Sequence, residues 1–270
     1  MLLEYVEEAM AKALFNSARQ KPTLRIWTNP KSVVVGRFQN LSDEVDLEQC
    51  EAHEVQIVRR FTGGGTVFHD EATLNLTIVG PRDEGSADLS FQEQNLRLVK
   101  EVLDDLGSRC SVSGNSILIG GRKVCGSAAA VGLHYIFWHC SILVNADTQL
   151  LERLLGPSRL KVCSEFIHSR WREVTTLTKA LSRPICTDEI ENGLEKEVEA
   201  QWRVRLETGS LSQEEEKLSD ALHFSKYTSR EWNLNGNRWH DEPEIDSHDN
   251  RGVRSLNALD RLNLLDHQLR

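Results

Sequence analysis

Three consecutive glycines, Gly63, Gly64 and Gly65, interrupt a strand-like stretch that reads Arg-Arg-Phe-Thr-Gly-Gly-Gly-Thr-Val-Phe-His-Asp from Arg59 to Asp70. Glycine loses more conformational freedom on folding than any other residue. A run of three therefore implies a main chain that needs positive φ, or a ligand that comes closer than a Cβ allows. Successive bare N–H groups beside Arg59 and Arg60 form a concavity suited to phosphate or carboxylate oxygens. The plainer reading is a glycine hairpin flanked by solvated arginines. A P-loop does not fit, because no Gly-Lys-Ser/Thr follows the run, and the Gly-x-Gly-x-x-Gly spacing of a dinucleotide site is absent.

The chain has 270 residues, 39% of them apolar and 27% charged, enough to bury a full core in one large domain with a small appendage. Its net charge of −9 argues against a protein that coats nucleic acid, so an anionic ligand must be met by a local cationic cluster. Six cysteines, Cys50, Cys110, Cys125, Cys140, Cys163 and Cys186, are scattered without a Cys-x-x-Cys pair. That spacing gives no zinc site and no metal site from the protein alone, and reduced thiols in a cytoplasmic protein are the default. The start lacks the basic region and apolar run of a secretory signal. No stretch reaches the roughly 18 apolar residues of a membrane span, so no membrane association is expected.

Periodicity predicts a helix over residues 3–17, from Leu3, Val6, Met10, Leu14 and Phe15. Strands are expected at Thr23–Trp27, Ser32–Gly36, Val55–Arg60, Thr66–Phe68 and Thr73–Val79, the last alternating like a half-buried strand. Ser90 and Glu93 form a capping box for a helix carrying Leu96, Val99, Leu103 and Leu106, closed by Gly107. Further strands are expected at Ser116–Ile119, Arg122–Ala128 and Tyr135–Val144. Helices follow from Asp147 onward, with a loop over Lys161–Arg172 and a second capping box at Ser212 and Glu215. The fold class is α+β (α/β), a mixed sheet flanked by helices. It forms a catalytic domain over 1–237, followed by a polar tail or short docking helix over 238–270, where Leu256, Leu259, Leu262 and Leu265 recur.

A second glycine cluster, Gly120-Gly121-Arg122-Lys123-Val124-Cys125-Gly126-Ser127, delivers a lysine onto a strand beside small residues. A compact ammonium there can meet a carboxylate and a phosphate together, although most lysines are solvated surface groups. His69 and His139 lie in strands and read first as hydrogen-bonded structural histidines, with general-base duty as the alternative. Asp70 reads as a turn holder and Trp232 as a core anchor.

These clusters resemble the lipoate-protein ligase family of the biotin/lipoate ligase and acyltransferase fold. Val33–Asn40 resembles its first strand-turn, and Arg59–Asp70 its Arg-Arg-x-x-Gly-Gly-Gly-x-Val-x-His-Asp signature. Gly121–Ala128 resembles its lysine turn, Trp138-His139 with Leu143–Asp147 the following strand and helix start, and Ser229–Asn233 the closing Ser-x-Glu-Trp-Asn element. The chain is most like single-domain members that lack the C-terminal accessory domain; the missing part is then a separate companion polypeptide, or the complete ligase reaction is not run. Ser116 stands where the common pattern has aspartate, and Cys125 where it has a small or apolar residue.

The resemblance implies that lipoate and ATP, with Mg2+, give lipoyl-AMP, whose acyl group passes to a lysine of a carrier domain. Such carriers are the E2 component of 2-oxoacid dehydrogenases and the glycine cleavage H protein. Lys123 is implied as the catalytic cation. Arg60, Gly63, Gly64, Gly65, Thr66, Val67, Phe68 and Asn115 are implied in binding ATP and lipoate, with Arg59, His69, Asp70 and His139 as secondary candidates. The acyl chain is expected along Leu76, Ile78, Val124 and Ile142. One alternative is an octanoyltransferase of the same fold, which takes an acyl thioester without ATP through a cysteine such as Cys110. Another is a non-catalytic protein that only docks carrier domains.

Overall fold

A computed structural model describes residues 4–16, 22–82, 88–156 and 166–236, and the expected tail over 238–270 lies outside them. Leu3 and the side chains of Leu14 and Phe15 are likewise outside the description. Among the described residues, nine strands form two sheets. In chain order they are β1 (Thr23–Trp27), β2 (Ser32–Val35), β3 (Gln56–Arg59), β4 (Val67–His69), β5 (Thr73–Pro81), β6 (Cys110–Ser113), β7 (Ser116–Ile119), β8 (Arg122–Val131) and β9 (Tyr135–Leu143). The large sheet has the order β1-β5-β9-β8-β7-β6, and every pairing in it is antiparallel. The small sheet, β3-β2-β4, is mixed, with β2 parallel to β3 and antiparallel to β4.

Helices α1 (Glu4–Asn16), α4 (Asp88–Asp105), α7 (Thr187–Trp202) and α8 (Gln213–Leu222) form where the apolar stripes lie. The short helices α2 (Leu41–Glu44), α3 (Leu47–Ala52), α5 (Thr148–Leu155), α6 (Leu177–Leu181) and α9 (Arg230–Asn235) fill the connections. At α8 the capping box is present as expected, Ser212 and Glu215 each bonding the other's backbone. Helix α4 instead starts two residues ahead of Ser90. The main core lies between α4, α7 and one face of the large sheet, where Leu74, Leu76, Ile78, Ile117, Trp138 and Ile142 meet Leu98, Val99, Leu103 and Leu194.

Strand β5 differs from the half-buried strand its alternation suggests, because its polar face is covered as well. Helix α1 lies against that face and turns three carboxylates inward, Glu4, Glu7 and Glu8, each no more than 2% exposed. Buried polar groups persist only when partnered. Trp27 Nε1 donates to Thr77 Oγ1, which donates in turn to Glu7, and Asn29 Nδ2 donates to Glu4 Oε1 at 2.7 Å. Glu8 receives Lys226 Nζ at 2.9 Å and the Tyr227 hydroxyl at 2.7 Å, both delivered by a π turn over His223–Tyr227.

The two arginines of the glycine motif have parted company. Arg59 is fully buried, and its guanidinium donates to the carbonyls of Gly36, Arg37, Gln39, Trp232 and Leu234. Asn233 Oδ1 accepts the Arg59 main-chain N–H, and Trp232 Nε1 donates to the Arg59 carbonyl. Arg59 thus ties α9 and the turn at 36–39 to β3, which corrects the expectation that it faces an anionic ligand. The reason is the strand's alternation, which sends consecutive side chains to opposite faces.

Replacing Arg59 by Lys keeps a cation but cannot span these carbonyls, so urea unfolding should show a loss of about 2–4 kcal/mol. Burial first, and Glu7 second, push the Glu4 carboxyl up to about 7. The folded state then holds that proton more tightly than the unfolded chain, and the stability it lends is lost as pH rises from about 4.5 to about 7. Glu4→Gln should therefore gain on the wild type by on the order of 1–3 kcal/mol between pH 5 and pH 8, read from paired unfolding curves.

Candidate active site

Arg60 shapes the glycine loop from within. Its guanidinium, 4% exposed, donates to the carbonyls of Gly63 at 2.7 Å, Gly65 at 2.8 Å and Val34 at 3.1 Å, and to Thr62 Oγ1 at 2.9 Å. Burial lowers its pKa to about 10, which leaves it charged at neutral pH. The three glycines answer to different constraints. Gly64 has φ +89°, a left-handed conformation that favours glycine, whereas a Cβ on Gly65 would lie 2.9 Å from Ser169 Oγ. Gly63 would meet only Phe38 at an ordinary 3.5 Å. Among the described residues, none accepts a hydrogen bond from the N–H groups of these glycines.

Lys123 reaches the same region because β8 is irregular. Cys125 pairs with Ile117 and Lys123 with Leu118, so Val124 is an extra residue and the strand bulges there. A bulge flips the alternation, so Cys125 packs into the core with Ile117 while Lys123 takes the opposite face, which it shares with Gly126 and the Gly126 partner Ser141. Gly126 leaves the room the ammonium needs, since a Cβ there would lie 2.5 Å from Lys123 Nζ. Burial above all, with Arg60 and Arg172 adding to it, draws the Lys123 pKa below the ordinary lysine value.

Lys123 lines a pocket with an empty volume of about 700 Å3, together with Thr66, Val67, Phe68 and Gly126. Its apolar wall is Val67, Phe68, Leu143, Leu151, Leu155 and Trp171. Of the side chains expected along the acyl chain, only Val124 borders it. Leu76, Ile78 and Ile142 face the helices on the other side of the sheet, in the main core.

The remaining candidates are spent on structure. His69 is 4% exposed; its Nδ1 meets Asn29 Nδ2, its Nε2 meets Ser141 Oγ at 2.8 Å, and burial drives its pKa down to about 3. Asp70 accepts from Ala72 N, Thr73 Oγ1 and Asp147 N, joining the β4–β5 turn to the start of α5. His139 bridges Glu7 and Thr62, and Thr62 in turn holds Arg60. Asn115 is outside the pocket, where its Nδ2 donates to the Ser127 carbonyl and ties the β6–β7 turn to β8.

A segment that the sequence offers only as loop closes the pocket. Ser169, Arg170, Trp171, Arg172 and Val174 all line it, and Lys123 N donates to the Glu173 carbonyl while Thr175 N donates to that of Lys123. The segment is pinned by Glu44, a pocket-lining carboxylate that accepts from Ser169 N and meets His168 Nδ1. The Arg-Trp-Arg triplet was the one available signal, being a basic-aromatic run without apolar periodicity. Arg170, Arg172, Lys123 and the Arg60-bound loop make a local cationic region on an acidic chain.

Comparison with known proteins bears out the fold. A bi-partite lipoate protein ligase from Thermoplasma acidophilum, studied with its E2 lipoyl domain, superposes with a TM-score of 0.75 and 27% identity, covering 88% of this chain and 92% of that one. A lipoate-protein ligase A bound with ATP gives 0.74 and 26%, covering 86% and 92%. Octanoyltransferase LipM of Brevibacillus brevis is 30% identical over 85% of this chain and 92% of its own. Residues 5–199 match the family model for the lipoyl protein ligase A/B catalytic domain, and it is to this family that the chain belongs.

Proposed function

We propose that the chain activates lipoate with ATP and passes the lipoyl group to a lysine of a carrier domain, acting with a separate accessory subunit. The observation that carries this reading is the Lys123 ammonium, buried in a mostly apolar pocket that it lines together with Thr66, the residue after the glycine run, and the cationic segment at 170–172. In the first step a carboxylate oxygen attacks the α-phosphorus, and the bond to pyrophosphate breaks with its electron pair leaving on pyrophosphate. Two anions must approach, so neutralisation and positioning matter more than a protein nucleophile. Lys123 supplies a desolvated charge to both partners, and an arriving anion restores the stabilisation that burial removes from the ammonium. In the second step the acceptor amine attacks the acyl carbon and AMP leaves. Val67, Phe68, Leu143, Leu151, Leu155 and Trp171 suit the aliphatic chain and exclude water from the mixed anhydride.

Magnesium, bound chiefly by phosphate and water oxygens, neutralises the polyphosphate when ATP is present. Among the described residues no group of three His, Cys, Asp or Glu would hold it as a resident ion. The ATP-bound and bi-partite relatives support the nucleotide and the two-subunit arrangement. Localisation in the cytoplasm belongs to the same reading; no described helix is long and apolar enough to cross a membrane.

The similarity to LipM makes octanoyl transfer the second reading. Here Cys110 is poorly placed: it lies on β6 outside the pocket, and burial pushes its thiol up to about 11. A thiol so disposed is a weak nucleophile at neutral pH.

Lipoate-dependent exchange of labelled pyrophosphate into ATP separates the readings. Exchange is expected in the wild type, unchanged in Cys110→Ser and reduced about 100-fold or more in Lys123→Ala. Absence of exchange, with octanoyl transfer from carrier protein abolished by Cys110→Ser, would overturn the ligase reading. Gly126→Ala places a methyl where the ammonium sits, and the flexible lysine end can move aside. Its unfolding midpoint should hold while kcat for adenylation falls about 10- to 100-fold.

A further inference from the structure

Among the described residues, three side-chain hydroxyls line the pocket, on Thr66, Ser141 and Ser169. Thr66 Oγ1 donates to Gln39 Oε1 at 2.8 Å, and Ser141 Oγ donates to Asn75 Oδ1 at 2.7 Å, so both of those protons are committed. Ser169 is the exception. Its oxygen accepts from Thr66 N at 2.9 Å and from Gln39 Nε2 at 3.0 Å. A hydroxyl has two lone pairs and one proton, so these two bonds use its acceptor capacity and leave the proton free for a pocket ligand.

The direction is fixed by Gln39, which is 2% exposed. Its Oε1 accepts from both Gly36 N and Thr66 Oγ1; a flipped amide would set Nε2 against the Gly36 N–H, which can only donate. Nε2 must therefore point at Ser169, and an amide N–H can only donate. The Ser169 main chain is held as well, by the Glu44 carboxylate on its N–H at 3.1 and 3.2 Å. The hydroxyl is preorganised from both ends before any ligand arrives.

We propose that Ser169 is a ligand-binding donor for an oxyanion of the reactants, and that Gln39 is the positioning residue that directs its proton into the pocket. The inference rests on the ligase reading and deepens it, since a single added donor beside Lys123 favours an anionic oxygen over a neutral group. The oxygen belongs to the acyl carboxylate or to a nucleotide phosphate, and the two sources separate experimentally.

Calorimetric titration with lipoate alone and with AMP alone, on wild type, Ser169→Ala, Ser169→Thr and Gln39→Glu, tests this. Ser169→Ala should weaken one of the two probes about tenfold or more, the probe affected naming the oxygen, and Ser169→Thr should restore it. Gln39→Glu is the discriminating variant. It retains acceptance from Gly36 N and Thr66 Oγ1 but presents an acceptor to Ser169, drawing the proton away from the pocket. If Ser169 only latched the segment in place, this stronger bond would leave ligand affinity intact; the proposal requires it to fall as in Ser169→Ala, with the unfolding midpoint followed in parallel. Wild-type affinity in Gln39→Glu, or tighter binding in Ser169→Ala as though Ser169 plugged the site, would overturn the proposal. Either result leaves wild-type pyrophosphate exchange intact, so it is separable from a failure of the ligase reading itself.

Discussion

Two adjacent guanidinium groups are buried, among the described residues no carboxylate pairs with either, and the site is built around how they are satisfied. An isolated buried charge is prohibitively costly, and these two are met by main-chain carbonyls instead. Arg59 gathers the carbonyls of the 36–39 turn and of α9, while Arg60 gathers those of the glycine loop. Because the strand alternates, one arginine closes the fold and the other shapes the site. Loop curvature and the seating of the last described helix thus depend on two consecutive residues.

The loop's rigidity extends further through Arg60. Thr62 holds Arg60, His139 holds Thr62, and Glu7 on α1 holds His139. A parallel chain runs from Glu4 through Asn29 and His69 to Ser141 on the pocket wall. Helix α1 is therefore more than a cover for β5, since its acidic side chains terminate two polar chains, one ending at the glycine loop and the other at the pocket. This accounts for the buried Thr73-Asn75-Thr77 face of β5, which would otherwise be an unfilled polar surface under a helix.

Much of this was legible in the sequence where a local rule decides the outcome. Glycine conformational demands, the α8 capping box and the apolar stripe of α4 are local, and these features are present, although α4 starts at Asp88, two residues ahead of the expected cap. What was not legible depends on contacts between distant segments. Arg59 and Arg60 are indistinguishable as text, and their opposite fates follow from strand alternation and from a partner 173 residues away. The orientation of Lys123 depends on a single extra residue in β8, invisible without the pairing register. Ser169 and Glu44 carry no composition signal at all, because their roles arise only when residues 125 positions apart meet. Cys110 is suggested by its place in the chain, and its position on β6 away from the pocket, with a thiol pushed up by burial, tells against it.

The same contrast bears on why a strongly acidic chain can hold an anionic reaction. A net charge of −9 would repel both reactants if it acted as one field, but charges beyond a Debye length, about 8 Å at physiological ionic strength, are largely screened. Glu7 is committed to His139 and Thr77 and Glu44 to the main chain of the covering segment, while burial pushes Glu4, which bonds Asn29, toward its neutral form. The cations that line the pocket are Lys123, Arg170 and Arg172; the two arginines are exposed, whereas Lys123 is buried, where its charge acts more strongly than it would in water. The sign of the pocket is therefore set by which charges remain unpaired, and the net charge of the chain has little influence on it.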